Sequence, residues 1–302
     1  MDCKNESAAL ASDHFNDSDS FRWNRWTQVG GGSISEAYRV ELAPRRELFV
    51  KINDSRFLTA FESERSGLQS LRAFGKIRVP EPIAVECVGQ QSMFVCEAIT
   101  TGHPSRKFFE RFGRQLADLH RASAGNGRTT RFGYDHDNYL GAATQLNAWH
   151  DDWATFFVER RLGPQIAWGE RQGLLSGDLL DMLRLLLERV RRVLRTTPEP
   201  PTLIHGDLWS GNYLCDQEDQ PVLVDPACYW GHREAEFGML TWMGGCPDAF
   251  YDAYVGSWPF ADGWRQRVTV YRLYHQLNHL NLFGGGYRSA CRQTTKEILE
   301  VA

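Results

Sequence analysis

The stretch LIHGDLWSGNYL, Leu203–Leu214, holds Asp207 and Asn212 between two apolar ends, and VLVDPA closes a second apolar run on Asp225, 18 residues beyond Asp207. Short apolar runs bounded by polar turns read as buried strands, so both aspartates fall at strand mouths. Either alone suits an ordinary turn beside a strand. Together they are a constraint, because two carboxylates in one partly buried place repel, and each costs several kcal/mol to desolvate unless compensated. A chain built this way needs a cation near these strand ends, from its own side chains or from a ligand.

Lysine is scarce: Lys4, Lys51, Lys76, Lys107 and Lys296 are the whole supply, and only Lys51 sits inside an apolar strand-like run, LFVKI. Alternation puts Lys51 on the face of Phe49, opposite Val50 and Ile52. An edge-strand lysine reaching for water would look the same. The segment that follows argues for a partner. Over a helix expected from about residue 57 to 74, Phe57, Phe61, Leu68 and Leu71 form one apolar stripe, and Glu64 lies on it while Glu62 points away. A carboxylate on a buried face needs a cation, and Lys51, 13 positions earlier on a neighbouring strand, is the natural one. Upstream, VGGGSISEAYRV places three glycines between two strand-like segments. That is a flexible hairpin turn or a loop whose N–H groups approach phosphate oxygens. No GxxxxGK[ST] pattern is present, so it is not a Walker loop.

The five-residue step from Asp207 to Asn212 equals that of the kinase catalytic loop H-R-D-L-x-x-x-N. There the aspartate accepts the proton of the acceptor hydroxyl, and the asparagine binds metal. Asp225, after a second short apolar strand, stands where the metal-binding D-F-G aspartate of such enzymes would be. Mg²⁺ takes oxygen ligands and keeps waters, so Asn212, Asp225 and the phosphates of ATP suffice to hold it. Lys51, paired with Glu64, would then aim its ammonium at the phosphates. His205 reads as a loop brace, because Asp207 already fills the position of the base.

The organisation agrees with this order. Strands are expected at RWTQV, EAYRVEL, LFVKI, IAVECV and SMFVCEA. Beyond TTGHPS helical spacing takes over, with Phe108, Phe112, Leu116 and Leu119 in one set and Leu179, Leu183, Leu186, Val190 and Leu194 in another, stopped at RTTPEPP. Helices are expected again from about residue 234 to 283. The fold class is therefore α+β and bilobal, of the protein-kinase type: a flexible tail over residues 1–20, a small antiparallel β-sheet N-lobe over 21–100, and a larger, mainly helical C-lobe over 101–302. A net charge of -4 gives no reason to expect nucleic acid or an anionic membrane as partner. No apolar run is long enough to span a bilayer, and the first twenty residues lack a signal-peptide core, so a cytoplasmic location is expected. The seven cysteines form no CxxC pair, which fits unpaired thiols. Oligomeric state leaves no mark in the sequence.

The blocks HGDLWSGN, DPACYWGHREAEF, FGYDHDNYLG, ERRLGPQ, LYHQLNHLNLFGG and GGGSISEAYRVE…FVKIN, spread from Trp26 to Tyr287, resemble the fructosamine/ketosamine-3-kinase family. Trp209 and DPACYWGHRE set that family apart from the related aminoglycoside phosphotransferases and choline kinases. The resemblance implies a protein-kinase-like fold and transfer of phosphate from ATP, with Mg²⁺, to the sugar 3-hydroxyl of ketosamines on small amines or glycated proteins. The product would then eliminate and free the amine. Bacterial relatives tend toward ribulosamines and erythrulosamines over fructosamines. Carried over by position, the resemblance implies Asp207 as catalytic base, Asn212 and Asp225 as metal ligands, Lys51 and Glu64 as the nucleotide-anchoring pair, Gly31, Gly32 and Ser33 as phosphate loop, and the backbone from Glu97 to Ile99 as the adenine contact. Ser33 or a neighbour stands where some plant relatives have a redox-active cysteine.

For the sugar, Trp209 is the first candidate, because an indole face suits the apolar side of a sugar ring. A packed core tryptophan is the alternative, and the resemblance favours the sugar. Tyr229, Trp230, His232, Arg233 and Glu234 come next, with Arg233 and Glu234 also readable as an internal ion pair. Glu236 is placed to brace the catalytic loop. Asp135 and Asn138 are either turn residues or part of the acceptor site. Competing readings are a kinase for another small alcohol such as an aminoglycoside, and a nucleotide-binding pseudokinase. The second is disfavoured by the complete set Lys51, Glu64, Asp207, Asn212 and Asp225.

Overall fold

Alternation of apolar and polar residues in the N-terminal segments produces the sheet expected from them. In a computed structural model describing residues 23–30, 34–42, 46–125 and 127–301, β1 (Trp23–Val29), β2 (Glu36–Leu42) and β3 (Arg46–Asp54) form an antiparallel meander. After α1 (Leu58–Arg72), strands β4 (Pro82–Val88) and β5 (Gln91–Glu97) complete a five-stranded sheet in the order β1-β2-β3-β5-β4. The expected tail and the expected phosphate-loop residues Gly31, Gly32 and Ser33 lie outside the described residues.

The faces of this sheet differ. Val40, Leu48, Val50, Ile52, Met93 and Val95 pack on one side as a small separate core. On the other, Phe94 and Cys96 join Phe61, Leu68 and Leu71 of α1 in the main core. Register pairs Lys51 with Ala37 and with Phe94, so the lysine stands on the α1 side, as its alternation requires.

The rest is mainly helical. Helix α2 (Arg106–Ala124) starts at a Ser105 cap whose side chain accepts from Phe108 N, and it buries Phe108, Phe112, Leu116 and Leu119. A hairpin follows, β6 (Asn138–Leu140) with β7 (Ala143–Gln145), which the expected helical character beyond residue 104 does not include. Its three-residue strands are too short to show a period. Then come α3 (Trp153–Phe157), a π-helical turn over Val158–Leu162, α4 (Gly163–Arg171) and α5 (Asp178–Arg195), whose apolar set from Leu179 to Leu194 is buried as expected.

Four short strands carry the motif region. β8 (Thr202–Ile204) pairs with β11 (Tyr229–Gly231), and β9 (Tyr213–Cys215) with β10 (Pro221–Leu223). Helices α6 (Glu236–Leu240), α7 (Asp248–Ser257), α8 (Trp264–Phe283) and α9 (Arg288–Val301) close the chain. The six described cysteines are unpaired, and no described helix is long and apolar enough to cross a membrane.

Helices α2 and α7 touch backbone to backbone at Gly113, where a Cβ would collide with Phe250 O and come within 2.9 Å of Tyr254 N. Neither helix can retreat from its buried face without opening the core. Gly113→Ala should therefore destabilise the chain by about 2 kcal/mol through overpacking. Chemical denaturation measures it, and an unchanged midpoint would show that the contact is slack.

Candidate active site

Lys51 joins the sheet to the helical part of the molecule. Its Nζ donates to Glu64 Oε1 at 2.8 Å, Glu64 Oε2 at 2.9 Å and Asp225 Oδ1 at 2.6 Å. The three side chains come from β3, α1 and the turn after β10, and α1 packs on that turn a second time, where Gly67 faces Pro226 and Cys228. Lys51 and Glu64 are mostly buried, whereas the Asp225 side chain is 49% exposed to the cleft. Burial alone would lower the Lys51 pKa, but Asp225 and then Glu64 more than offset that and hold the ammonium above its ordinary value. Burial pushes the Glu64 carboxyl up, Lys51 pulls it back, and Asp225 adds to the rise.

Asp225 adopts a left-handed backbone with φ 57°, which costs a residue other than glycine about 1 kcal/mol. Such strain persists where the surroundings over-determine it. Val224 N donates to Asn212 O at 3.0 Å on one side, and Ala227 N to His205 O at 2.8 Å on the other. Behind the turn, Gln145 Nε2 donates to Ala227 O at 3.1 Å and Asn138 Nδ2 to Cys228 O at 2.8 Å. Gln145 is held in turn by Tyr274, whose hydroxyl donates to Gln145 Oε1 at 2.9 Å. Asn138 is thus a buried clamp on this turn.

The loop carrying Asp207 is braced from below. His205 N and Gly206 N donate to Glu236 Oε2 at 2.6 Å and Oε1 at 3.1 Å, and Glu236 is the buried first residue of α6. Gly206 has φ +83° and leaves no room for a Cβ against Ala227 O, so the two motif segments meet backbone to backbone. His205 Nε2 lies 2.8 Å from Val224 O and must donate to it, which leaves Nδ1 to accept from Asp207 N at 3.3 Å. Burial lowers the His205 pKa and favours this neutral ring. Asn212 Nδ2 donates to Asp207 O at 2.8 Å and Oδ2 at 3.2 Å. Burial first, then the charge of Asp225, raises the Asp207 pKa well above the usual carboxylate range.

Lys51, Glu64, Asp207, Trp209, Asn212 and Asp225 all line one cleft of about 860 Å³. Glu97, the last residue of β5, and Ile99, between the sheet and α2, line it too. Glu97 accepts from Arg78 at 2.6 Å, and Ile99 O accepts from Arg39. At the cleft floor one ammonium faces three carboxylates, an imbalance that a divalent cation held between them and a nucleotide's phosphates would offset locally. Among the described residues no group of three or more His, Cys, Asp or Glu could hold a metal ion by itself. One carboxylate and one amide are what Mg²⁺ takes when phosphates complete its shell, so the residues fit such a complex.

Several expected sugar contacts are elsewhere. Trp230 is buried with its ring edge-on to Phe74 at 6.3 Å, lining a separate cavity of about 480 Å³ that also includes Asp135. His232 is buried and stacks on Trp153 at 4.8 Å; burial, with Arg267 and Arg233 adding, holds its pKa down to about 3. Arg233 donates to both oxygens of Glu199 at 3.0 Å and lies 4.0 Å over the Trp258 ring. Glu234 accepts from Arg267 at 2.6 and 2.7 Å. Arg233 and Glu234 are therefore ion-paired, each with a distant partner rather than with each other. Tyr229 is also buried, under the Arg161 guanidinium at 4.0 Å. Of the sugar candidates only Trp209 faces the cleft. The wall that local sequence pattern did not announce comes from α6, the turn after it and α8: Met239, Met243, His279, Leu282 and Phe283, with Tyr287 beyond. The four-residue step from His279 to Phe283 on a helix was its available signal.

A two-lobed fold with this lysine–glutamate pair and these cleft acids defines a phosphotransferase of the kinase-like class. A model of the fructosamine kinase family matches residues 5–301, and the chain belongs to that family. It is 38% identical over 281 residues to a probable ketoamine kinase of Synechocystis sp., covering 93% of this chain and 92% of that one. It is 39% identical over 277 residues to the chloroplastic protein-ribulosamine 3-kinase of Arabidopsis thaliana, covering 90% and 82%. The crystal structure of a putative fructosamine-3-kinase from Thermobifida fusca superposes with a TM-score of 0.84 at 32% identity, covering 96% and 98%. An aminoglycoside phosphotransferase, APH(4)-Ia, at 15% identity and a TM-score of 0.64, shares the fold. The chain is thus a ketosamine-type kinase, a phosphotransferase with a hydroxyl acceptor. Its family implies the use of ATP and a divalent cation.

A carboxyl whose pKa rises on folding favours the folded state at low pH. That contribution is lost as pH climbs from the unfolded to the folded pKa. Ionised Asp207 is therefore a strain on the nucleotide-free protein at neutral and higher pH. Asp207→Asn should raise the Tm at pH 8, with the gain shrinking toward pH 4, while turnover falls by about 10²–10⁴. Thermal unfolding across pH and an ADP-release assay test both; a lower Tm at pH 8 with activity kept would contradict the assignment.

Proposed function

We propose that this chain transfers the γ-phosphoryl group of ATP to the 3-hydroxyl of a ketosamine, favouring ribulosamines and erythrulosamines over fructosamines. The observation that carries the reading is that Asp207 and Trp209 open onto the same cleft as Lys51 and Asp225. Bound ATP with Mg²⁺ supplies the phosphoryl group and the cation that offsets the anionic floor. Lys51, held by Glu64, directs its ammonium to the phosphates. Asn212 and Asp225 offer the oxygen ligands for the metal, and the backbone between Glu97 and Ile99 meets the adenine. Asp207 orients the acceptor hydroxyl and takes its proton as the sugar oxygen bonds to phosphorus. Trp209 lies beside it as the apolar platform for the sugar.

The product carries phosphate on C3, two carbons from the amine-bearing C1. Loss of a proton from C1 gives the enaminol, and phosphate leaves C3 with its bonding electrons. Hydrolysis of the resulting imine frees the amine, so the same step begins deglycation of small amines or proteins. The relative named as a protein-ribulosamine 3-kinase supports a pentulose preference. An aminoglycoside acceptor is a polycation, and Met239, Met243, Asn278, His279, Leu282 and Phe283 give it no carboxylate from α6 or α8.

Mg²⁺-dependent ADP release should be fastest with ribulosyl-lysine, slower with fructosyl-lysine and absent with kanamycin. Trp209→Ala should raise KM for the sugar about tenfold, the scale of one lost aromatic contact, while leaving KM for ATP in place. Turnover of kanamycin alone would reverse the assignment, and no turnover of any acceptor would revive the pseudokinase reading.

A further inference from the structure

We infer that the aromatic cluster of Trp242, His279, Phe283 and Tyr287 at the cleft mouth is a subsite for the amine side of the substrate: a secondary ammonium and the alkyl chain beyond it. The inference rests on the reading of the cleft as a ketosamine-kinase site and adds what that reading leaves open, the recognition of the group to which the sugar is attached.

The cluster is built by the end of α8. His279 and Phe283 lie one turn apart on that helix, with ring centroids 5.4 Å apart. The chain then reverses at Gly284, φ +89°, and returns Tyr287 to within 5.3 Å of His279 and 6.3 Å of Phe283. Trp242, just after α6, packs edge-on to His279 at 4.9 Å and to Tyr287 at 6.0 Å. Phe283 is 53% exposed, one of three exposed large hydrophobic side chains among the described residues, and it is the one that belongs to an aromatic cluster. His279, Phe283 and Tyr287 line the same cleft as Asp207. Ser210, next to Trp209, donates to Met243 O from both its backbone N and its Oγ at 3.4 Å. That contact ties the proposed sugar platform to the segment bearing Trp242.

The chemistry of the cluster suits one ammonium and its carbon chain. His279 Nδ1 lies 2.9 Å from His275 O and must donate to that carbonyl. Nε2 of the neutral ring is then the acceptor, and burial keeps the ring neutral. An acceptor nitrogen among π faces takes an ammonium N–H and attracts the cation without a carboxylate. The exposed Phe283 face covers the methylenes that follow. With the reacting hydroxyl on C3 at Asp207, the sugar runs one way through C4 and the other through C1 to the amine, and the C1 substituent is the cationic, apolar-tailed end that suits this cluster. A lysine side chain meets this description on a free amino acid and on a protein alike.

The test compares ribulosamine adducts of methylamine and of Nα-acetyl-lysine, together with a ribulosylated protein, in wild type, Phe283→Ala and Phe283→Tyr. In wild type, kcat/KM should be higher for the lysine adduct than for the methylamine adduct. Phe283→Ala should cut that ratio about five- to tenfold through KM rather than kcat, the scale of one cation–π or aromatic contact, and Phe283→Tyr should restore it. The ribulosylated protein should lose efficiency in parallel if its lysine enters the same subsite; loss for the free adduct alone would place the subsite in small-amine recognition. A ratio that Phe283→Ala leaves unchanged would overturn the subsite while leaving the reaction assignment intact. Absence of turnover with every adduct in wild type would instead overturn the reaction assignment, and the subsite with it.

Discussion

The ammonium of Lys51, shared between Glu64 and Asp225 at 2.6–2.9 Å, is the contact on which the rest of this structure depends. It is the point where the sheet, its helix and the motif strands of the helical part meet. Charges about 4 Å apart attract by about 4 kcal/mol near a protein surface, and losing one partner of a buried pair costs about 3–5 kcal/mol. The register of β3, the face of α1 and the turn after β10 are therefore tied to one another. The cleft exists because these elements converge without filling the space between them.

The arrangement is rigid where chemistry needs position and open where it needs exchange. Glu236 holds the backbone at His205 and Gly206, and Gln145 and Asn138 clamp the turn after Asp225. Neither brace uses a group that faces the cleft. Asp207 is left with a raised electrostatic cost, by burial and by the charge of Asp225. Such a floor is poised to gain from a ligand that brings positive charge, which is how a site can be costly when empty and favourable when filled. The opposite wall, from α6 and α8, is neutral and aromatic, so the cleft is divided between an ionic half and an apolar half.

The ionic half was legible in the sequence because burial forces charges to pair. Glu64 on an apolar helical stripe required a cation, and strand alternation offered Lys51. The spacing of Asp207, Asn212 and Asp225 survives as geometry because short strands and tight turns set it. The second-choice sugar candidates lie away from the cleft for the complementary reason. Trp230, His232, Arg233 and Glu234 follow Asp225 closely in sequence, but β11 and the turn after it bury them in the core. The partners of Arg233 and Glu234, Glu199 and Arg267, lie 34 and 33 residues away, a pairing that no local pattern announces. The β6–β7 hairpin was invisible because its strands are shorter than any period. The aromatic wall was in view in LYHQLNHLNLFGG, but its helical spacing is also that of a buried face, and only the 53% exposure of Phe283 separates the two.

The most direct test of the central claim is the metal dependence of nucleotide binding, measured by titrating AMP-PNP calorimetrically with and without Mg²⁺ into wild type and Asp225→Asn. If Asp225 shares Lys51 in the free protein and turns to the metal in the complex, Mg²⁺ should tighten binding to wild type at least about tenfold, or 1.4 kcal/mol, and do little for the variant. Equal tightening in both proteins would show that the metal does not use Asp225, and the convergence of charges at the cleft floor would need another explanation.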